Sequence, residues 1–82
     1  MPMTPKRAAE IMYEVSDTYA RDFDHMDDLR DTIRADTHDL RVIAVLINEN
    51  KLAEAKEAVY NLDTLVRDYV PSNVYKWLTA GG

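Results

Sequence analysis

The sequence predicts an all-α protein, a small compact bundle of three to five helices that forms a homodimer. Its two glycines both stand at the C-terminal end, whereas strand-and-turn folds need glycine within their turns. Apolar residues recur along the chain at steps of three or four, the spacing that collects them on one face of a helix. The length of 82 residues corresponds to one domain, residues 1–82.

The first predicted helix begins at Pro5 and ends near residue 22. Thr4 can cap it, and proline suits the first helical position because its missing N–H would have no partner there. One apolar stripe follows at helical spacing: Ala8, Met12, Val15, Tyr19 and Phe23, with Ile11 beside it. This face is therefore expected to pack into the core.

The second predicted helix runs from about residue 24 to about residue 48, with a break near Asp36 as the alternative. In that alternative Asp36 caps a new helix, with Asp39 three residues later in the manner of a capping box. The predicted core residues fall within about 60° of one another around the helix: Met26, Leu29, Ile33, Leu40 and Ile47.

The segment RVIAVLI, residues 41–47, is apolar on nearly every side. A lone strand would have no sheet to join, so we interpret the segment as a buried helix. A helix that is apolar all round needs cover from several directions, which a short chain can hardly supply. We therefore predict that a second copy covers part of it. The residues assigned to self-association are Val42, Ile43, Val45 and Leu46.

After a turn at residues 48–50, a third helix is predicted to continue until Pro71. Its apolar stripe is continuous: Leu52, Ala55, Val59, Leu62, Val66 and Tyr69. Asp63 and Arg67 stand four apart in the order that favours an ion pair. Ser72 can cap a short last helix.

The last helix carries two aromatic residues, Tyr75 and Trp77. Tyrosine and tryptophan are common anchors of protein interfaces, so both are candidate contacts for a partner. The competing interpretation, that Trp77 closes the end of the bundle, follows from how little apolar material so short a chain contains.

The stretch from residue 21 to residue 41 carries seven aspartates, four arginines and both histidines. A cap at Asp24 and the favourable helix dipole would explain Asp27 and Asp28, but not the aspartates further along. Two interpretations remain, a solvated helix face and a surface that recognises a protein partner with a basic surface. The predicted partner-binding residues are Asp24, Asp27, Asp28, Asp31, Asp36 and Asp39.

Several classes of function are disfavoured. A net charge of −5 argues against direct binding of nucleic acid, which depends on cationic side chains. His25 and His38 would lie about 19 Å apart on a continuous helix, too far for one metal ion. The chain has no cysteine, no glycine-rich phosphate loop and no nucleophile elbow. We therefore predict no catalytic residue, no metal and no cofactor, and hence a protein that is not an enzyme.

The expected location is the cytoplasm. The chain has no apolar run of the roughly 18 residues that would span a bilayer, so we predict no contact with a membrane. Its first residues, MPMTPKRAAE, lack the apolar stretch of a signal peptide. The absence of cysteine fits a reducing compartment.

An acidic run, then DDLxDxI, then an apolar helix, from Asp24 to Leu46, resembles a stretch of the phage overcome-restriction proteins. The resemblance implies a small acidic helical dimer that imitates DNA and occupies a restriction enzyme. Because arginines interrupt the run here, the expectation carried over is milder. It is a small virus-type inhibitor that occludes a basic, nucleic-acid-binding site on a host protein. The alternatives are an assembly protein that self-associates through its apolar helix, and a helical oligomer with a ligand or active site between subunits.

Overall fold

The computed structural model describes residues 3–80, and this part of the chain contains only helices, turns and loops, with no strand. The predicted all-α fold with up to five helices is confirmed. The helices are α1 (Pro5–Asp22), α2 (Arg30–Asn48), α3 (Leu52–Tyr60), α4 (Thr64–Arg67) and α5 (Ser72–Thr79), and a 3-10 turn (Asp27–Leu29) precedes α2. Within residues 3–80, no helix has both the length and the apolar content needed to cross a membrane.

Helix α1 begins and ends where its sequence predicts. The Thr4 hydroxyl accepts a hydrogen bond from the backbone N–H of Arg7 at 3.2 Å, and Pro5 occupies the first turn. Ser16 is fully buried, and its hydroxyl donates to the carbonyl oxygen of Tyr13 at 2.8 Å, so its burial leaves no polar group unsatisfied. The remaining buried residues of α1 are Ala8, Ala9, Met12, Val15 and Tyr19.

Helices α1 and α2 form an antiparallel hairpin, the most extensive helix–helix contact of the described chain. Tyr19 bonds to Asp36 at 2.9 Å, whereas Asp17, nearer the start of α1, pairs with Arg41, further along α2, at 3.4 Å. Four residues of α2 lie wholly inside the core: Leu40, Ile43, Ala44 and Ile47. Helices α3, α4 and α5 complete the core, with α3 packed on both α2 and α5.

One expectation about α2 is wrong and two are confirmed. The helix begins at Arg30 rather than near residue 24, because the chain first passes through a turn and the 3-10 turn. It continues through Asp36 without a break, as predicted, so the alternative in which Asp36 caps a new helix is wrong. Residues 41–47 are helical, as predicted.

A left-handed residue ends α2 at the predicted turn. Asn50 has φ of 61°, a conformation that asparagine tolerates better than most residues. The N–H of Asn50 donates to the carbonyl of Ile47 at 2.9 Å, and that of Lys51 to the carbonyl of Leu46 at 2.8 Å. These two bonds form a Schellman motif, so asparagine performs here the task usually given to glycine.

The prediction of one helix up to Pro71 is wrong, because the chain bends at residues 61–63 and separates α3 from α4. Arg67 makes no ion pair with Asp63 among the described residues. Its Nη2 instead donates to the carbonyl oxygens of Tyr60 at 2.8 Å and Leu62 at 2.9 Å. The guanidinium thus satisfies the carbonyl of Tyr60, the last residue of α3, and that of Leu62 in the bend.

The bend also brings Tyr69 against the end of α1. Its hydroxyl donates to Asp22 at 2.9 Å, which raises the pKa of Tyr69. Its ring packs edge-on against Tyr19, with 5.1 Å between the ring centroids, and Phe23 joins the same cluster. These aromatic contacts tie the C-terminal half to the hairpin.

Helix α5 contributes Val74 and Leu78 to the core. Ser72 is its first residue and caps nothing, so that prediction is wrong; Pro71 holds the capping position without a side-chain bond. Both Tyr75 and Trp77 are half-buried and pack against the core.

Candidate functional site

A run of exposed residues begins after Phe23, in the segment that joins α1 to α2, and continues through the first three residues of α2. We call residues 24–32 the exposed connector, since each of them lies at the surface. It contains four of the predicted partner-binding aspartates: Asp24, Asp27, Asp28 and Asp31. The predicted cap at Asp24 is wrong, because this residue lies in the turn that follows α1. Asp27 makes an exposed ion pair with Arg30 at 3.3 Å.

Two apolar side chains stand among these aspartates. Met26 is 38% exposed and Leu29 is 47% exposed, so their predicted place in the core is wrong. The physical reason is that the chain leaves α-helical geometry between α1 and Arg30, so helical spacing does not place these residues on the core face. The connector therefore combines negative charge with exposed apolar surface.

The other two predicted partner-binding residues lie apart from the connector. Asp36 is half-buried in the α1–α2 hairpin, where its carboxylate accepts the hydrogen bond from Tyr19, so it does not belong to an exposed acidic face. Burial, followed by the hydrogen bond to Asp36, raises the pKa of Tyr19 to about 12. Asp39 is exposed but borders a shallow cleft towards α3, beside Val42 and Leu62. The six aspartates therefore do not form one surface.

One flank of α2 carries Arg30, Arg34 and Arg41 within about 40° of one another around the helix. These three arginines line a cleft of about 480 Å³, together with Thr37 and His38. The rest of its wall is mainly apolar and comes from the end of α1, the connector and α2: Ala20, Phe23, Met26 and Ile33, with Asp24 at the side. We call this site the arginine cleft.

Sequence reasoning missed the arginine cleft, because it considered the arginines only as residues that interrupt the acidic run. The available signal was the spacing of Arg30, Arg34 and Arg41, which places all three on one side of a helix. The apolar wall has no such signal, because Ala20 and Phe23 reach the cleft only through the antiparallel packing of α1 on α2.

Two groups in the cleft have unused bonding capacity. Arg34 is exposed and forms no ion pair or hydrogen bond with any residue between 3 and 80. The hydroxyl oxygen of Thr37 is buried and also lacks a hydrogen-bond partner within that range.

The two histidines lie in different settings, His25 in the connector and His38 at the arginine cleft. Over residues 3–80, no three side chains of the histidine, aspartate, glutamate or cysteine type are grouped as a metal site would require.

The predicted self-association residues are divided between core and surface. Ile43 is fully buried within its own chain, so in this fold it cannot contact a second copy. Val45 is exposed, and Val42 and Leu46 are half-buried. The buried side of residues 41–47 therefore packs against other helices of the same chain.

Comparisons with protein-family models, with curated proteins and with solved structures give no match for this chain.

Proposed function

We propose that this chain is a non-enzymatic protein-binding module that recognises a basic partner through the exposed connector. One observation carries the proposal: residues 24–32 are all exposed, and they combine four aspartates with Met26 and Leu29. Neither apolar side chain belongs to the core, although a short chain has little apolar material to spare.

The two components of the connector would contribute differently to binding. Four aspartates against one arginine leave these five groups with a formal charge of −3, which would attract a basic surface and accelerate association. Met26 and Leu29 would supply the apolar contact, because each Å² of apolar surface removed from water contributes about 25 cal/mol. A partner with a basic rim around an apolar depression fits both components.

The class of partner that we propose is a nucleic-acid-binding protein of a host cell, whose basic channel the connector would occlude. Such channels are positively charged because they bind phosphates, so an exposed acidic segment can compete for them. The resemblance of residues 24–46 to phage overcome-restriction proteins agrees with this class. The chain would then act as a small virus-type inhibitor.

The test is a charge reversal, Asp28→Lys with Asp31→Lys, because both residues are exposed and neither lines the arginine cleft. The matched control is Glu54→Lys with Glu57→Lys, an equal change of charge at exposed positions on α3. Immobilised wild type and both variants are used to capture proteins from a host lysate, and mass spectrometry identifies them.

We expect a basic protein that wild type and control retain and the connector variant loses. Its association rate with wild type should fall as salt increases, since exposed charges are screened. Identical captured proteins for all three chains would refute the proposal, provided that circular dichroism shows all three folded.

A second candidate function is an assembly protein, and the outer side of α2 favours it. Val42, Val45 and Leu46 are incompletely covered there, and Val45 is 38% exposed. Under this proposal the wild type sediments as a homodimer, and Val45→Asp dissociates it while leaving the fold intact. A wild type that remains monomeric at high micromolar concentration would exclude this function.

A further inference from the structure

We propose that the arginine cleft binds a small organic anion, one that carries a phosphate or carboxylate group on an apolar body. The cleft shares Asp24, Met26 and Arg30 with the connector, but the proposal does not depend on the connector's proposed role, because its test needs no protein partner. A volume of about 480 Å³ lies within the range of small-molecule sites.

The first argument is electrostatic. Three arginines and one aspartate line the cleft, so these four groups carry a formal charge of +2 in a chain whose net charge is −5. Arg30 and Arg34 stand four residues apart on one helix, a like-charge arrangement that slightly destabilises α2. A bound anion would relieve this repulsion.

The second argument concerns the availability of the guanidinium groups. Arg30 and Arg41 pair with Asp27 and Asp17, but all four side chains are more than half exposed, and such ion pairs contribute little free energy. These two arginines can therefore exchange their present partners for a bound anion at small cost. Arg34 has no partner to exchange within residues 3–80.

The third argument identifies the anionic group. Guanidinium groups bind phosphate and carboxylate in a two-pronged geometry, with charge-assisted hydrogen bonds. Thr37 stands on the same flank of α2 as the arginines and lines the same cleft. The three arginines therefore supply the contacts to the anionic group.

The apolar wall determines the rest of the ligand. Phe23, Met26 and Ile33 offer no hydrogen bonds from their side chains, so they favour a ring or aliphatic body over a hydrated ion. A nucleic acid strand is disfavoured, since its further phosphates would meet the aspartates of the connector. The ligand class is therefore a compact amphiphilic anion.

The probe is phenyl phosphate, which joins a dianionic group to a single ring. It is titrated into the isotopically labelled full chain, and backbone amide shifts are followed by NMR. We expect saturable shifts confined to the end of α1, the connector and residues 30–41 of α2. Inorganic phosphate and phenol, the two halves of the probe, should each bind more weakly than the whole.

Two variants localise the binding. Arg34→Gln removes a charge that forms no ion pair within residues 3–80, and it should weaken the binding of phenyl phosphate about tenfold. The control is Arg7→Gln, another exposed arginine, which lies at the start of α1 and should leave the affinity unchanged. Both variants should retain the wild-type melting temperature within a few degrees.

Three results would overturn the proposal. The first is the absence of saturable shifts at millimolar phenyl phosphate. The second is equal affinity of wild type and Arg34→Gln, because the anion would then lie elsewhere. The third is binding of inorganic phosphate or of a short single-stranded oligonucleotide at least as tight as that of phenyl phosphate, since the apolar wall would then have no role.

Discussion

Replacement of Tyr19 by phenylalanine isolates one polar contact inside the hairpin. The variant keeps the ring, which packs at 4.8 Å from Phe23 and 5.1 Å from Tyr69 between centroids, and loses only the hydroxyl that donates to Asp36 at 2.9 Å. Hydrogen bonds to charged groups contribute about 1.5–3 kcal/mol. Because Asp36 is half-buried and retains some access to water, we expect a loss near the lower value.

The burial of the Tyr19 hydroxyl and its bond to Asp36 also make the free energy of unfolding fall at alkaline pH. The pKa of Tyr19 is raised from 10.0 to about 12, with burial as the larger cause and Asp36 as the next. Between these values the unfolded chain has released the Tyr19 proton and the folded chain still holds it. The stabilising contribution is therefore complete below pH 10.0 and is lost as the pH rises through about 12. At about 1.4 kcal/mol per pKa unit, the loss reaches at most about 2 to 3 kcal/mol.

The assay is urea unfolding of wild type and Tyr19→Phe, followed by circular dichroism at neutral pH and at several values above pH 10. The difference between the two proteins is the informative quantity, because lysines and the other tyrosines titrate in both. The destabilisation by Tyr19→Phe should be greatest at neutral pH and should shrink as the pH approaches 12. A constant difference across this range, or no difference at neutral pH, would refute the reasoning.

Three further substitutions test local features of the fold by denaturant midpoint. Asn50→Val places a β-branched residue at φ of 61° and should destabilise the protein by about 1–2 kcal/mol, whereas Asn50→Gly should not destabilise it; equal effects would contradict the Schellman assignment. Arg67→Met removes both bonds to the carbonyls at the end of α3 and should cost about 2 kcal/mol, with faster amide exchange in the last turn of α3; an unchanged exchange rate there would argue against this capping role. Thr4→Ala should cost about 1 kcal/mol, and Thr4→Ser should restore most of it if the hydroxyl caps α1.

Local chemistry made several elements predictable from the sequence. Thr4 and Pro5 define the start of α1 through a cap and a fixed backbone angle, both of which act within one helical turn. Residues 41–47 were predicted as helix because no second strand exists to pair with them, and the turn at residues 48–50 follows from polar residues after an apolar run.

The spacing of apolar residues did not reveal the bend at residues 61–63, because that spacing continues across it. Leu62 and Val66 continue the stripe of α3 and are buried, yet a bend separates them. A stripe requires only that apolar residues meet the core, and a bent chain satisfies this as well as a straight helix does. The bend leaves the carbonyl groups of Tyr60 and Leu62 without helical partners, and Arg67 donates hydrogen bonds to both. No spacing rule predicts these bonds, which connect residues five and seven positions apart.

The two candidate sites, the connector and the arginine cleft, also differ in how far the sequence predicts them. Composition alone identified an acidic segment, and the exposure of Asp24, Asp27, Asp28 and Asp31 follows from a chain that runs outside the core. Only the tertiary structure shows that Asp36 is not part of that surface, because Tyr19 bonds to it when α1 packs against α2. The same packing places Ala20 and Phe23 opposite the arginines of α2 and so creates the arginine cleft. Charge and helical spacing are properties of the sequence, whereas a cleft requires two helices that approach each other in space.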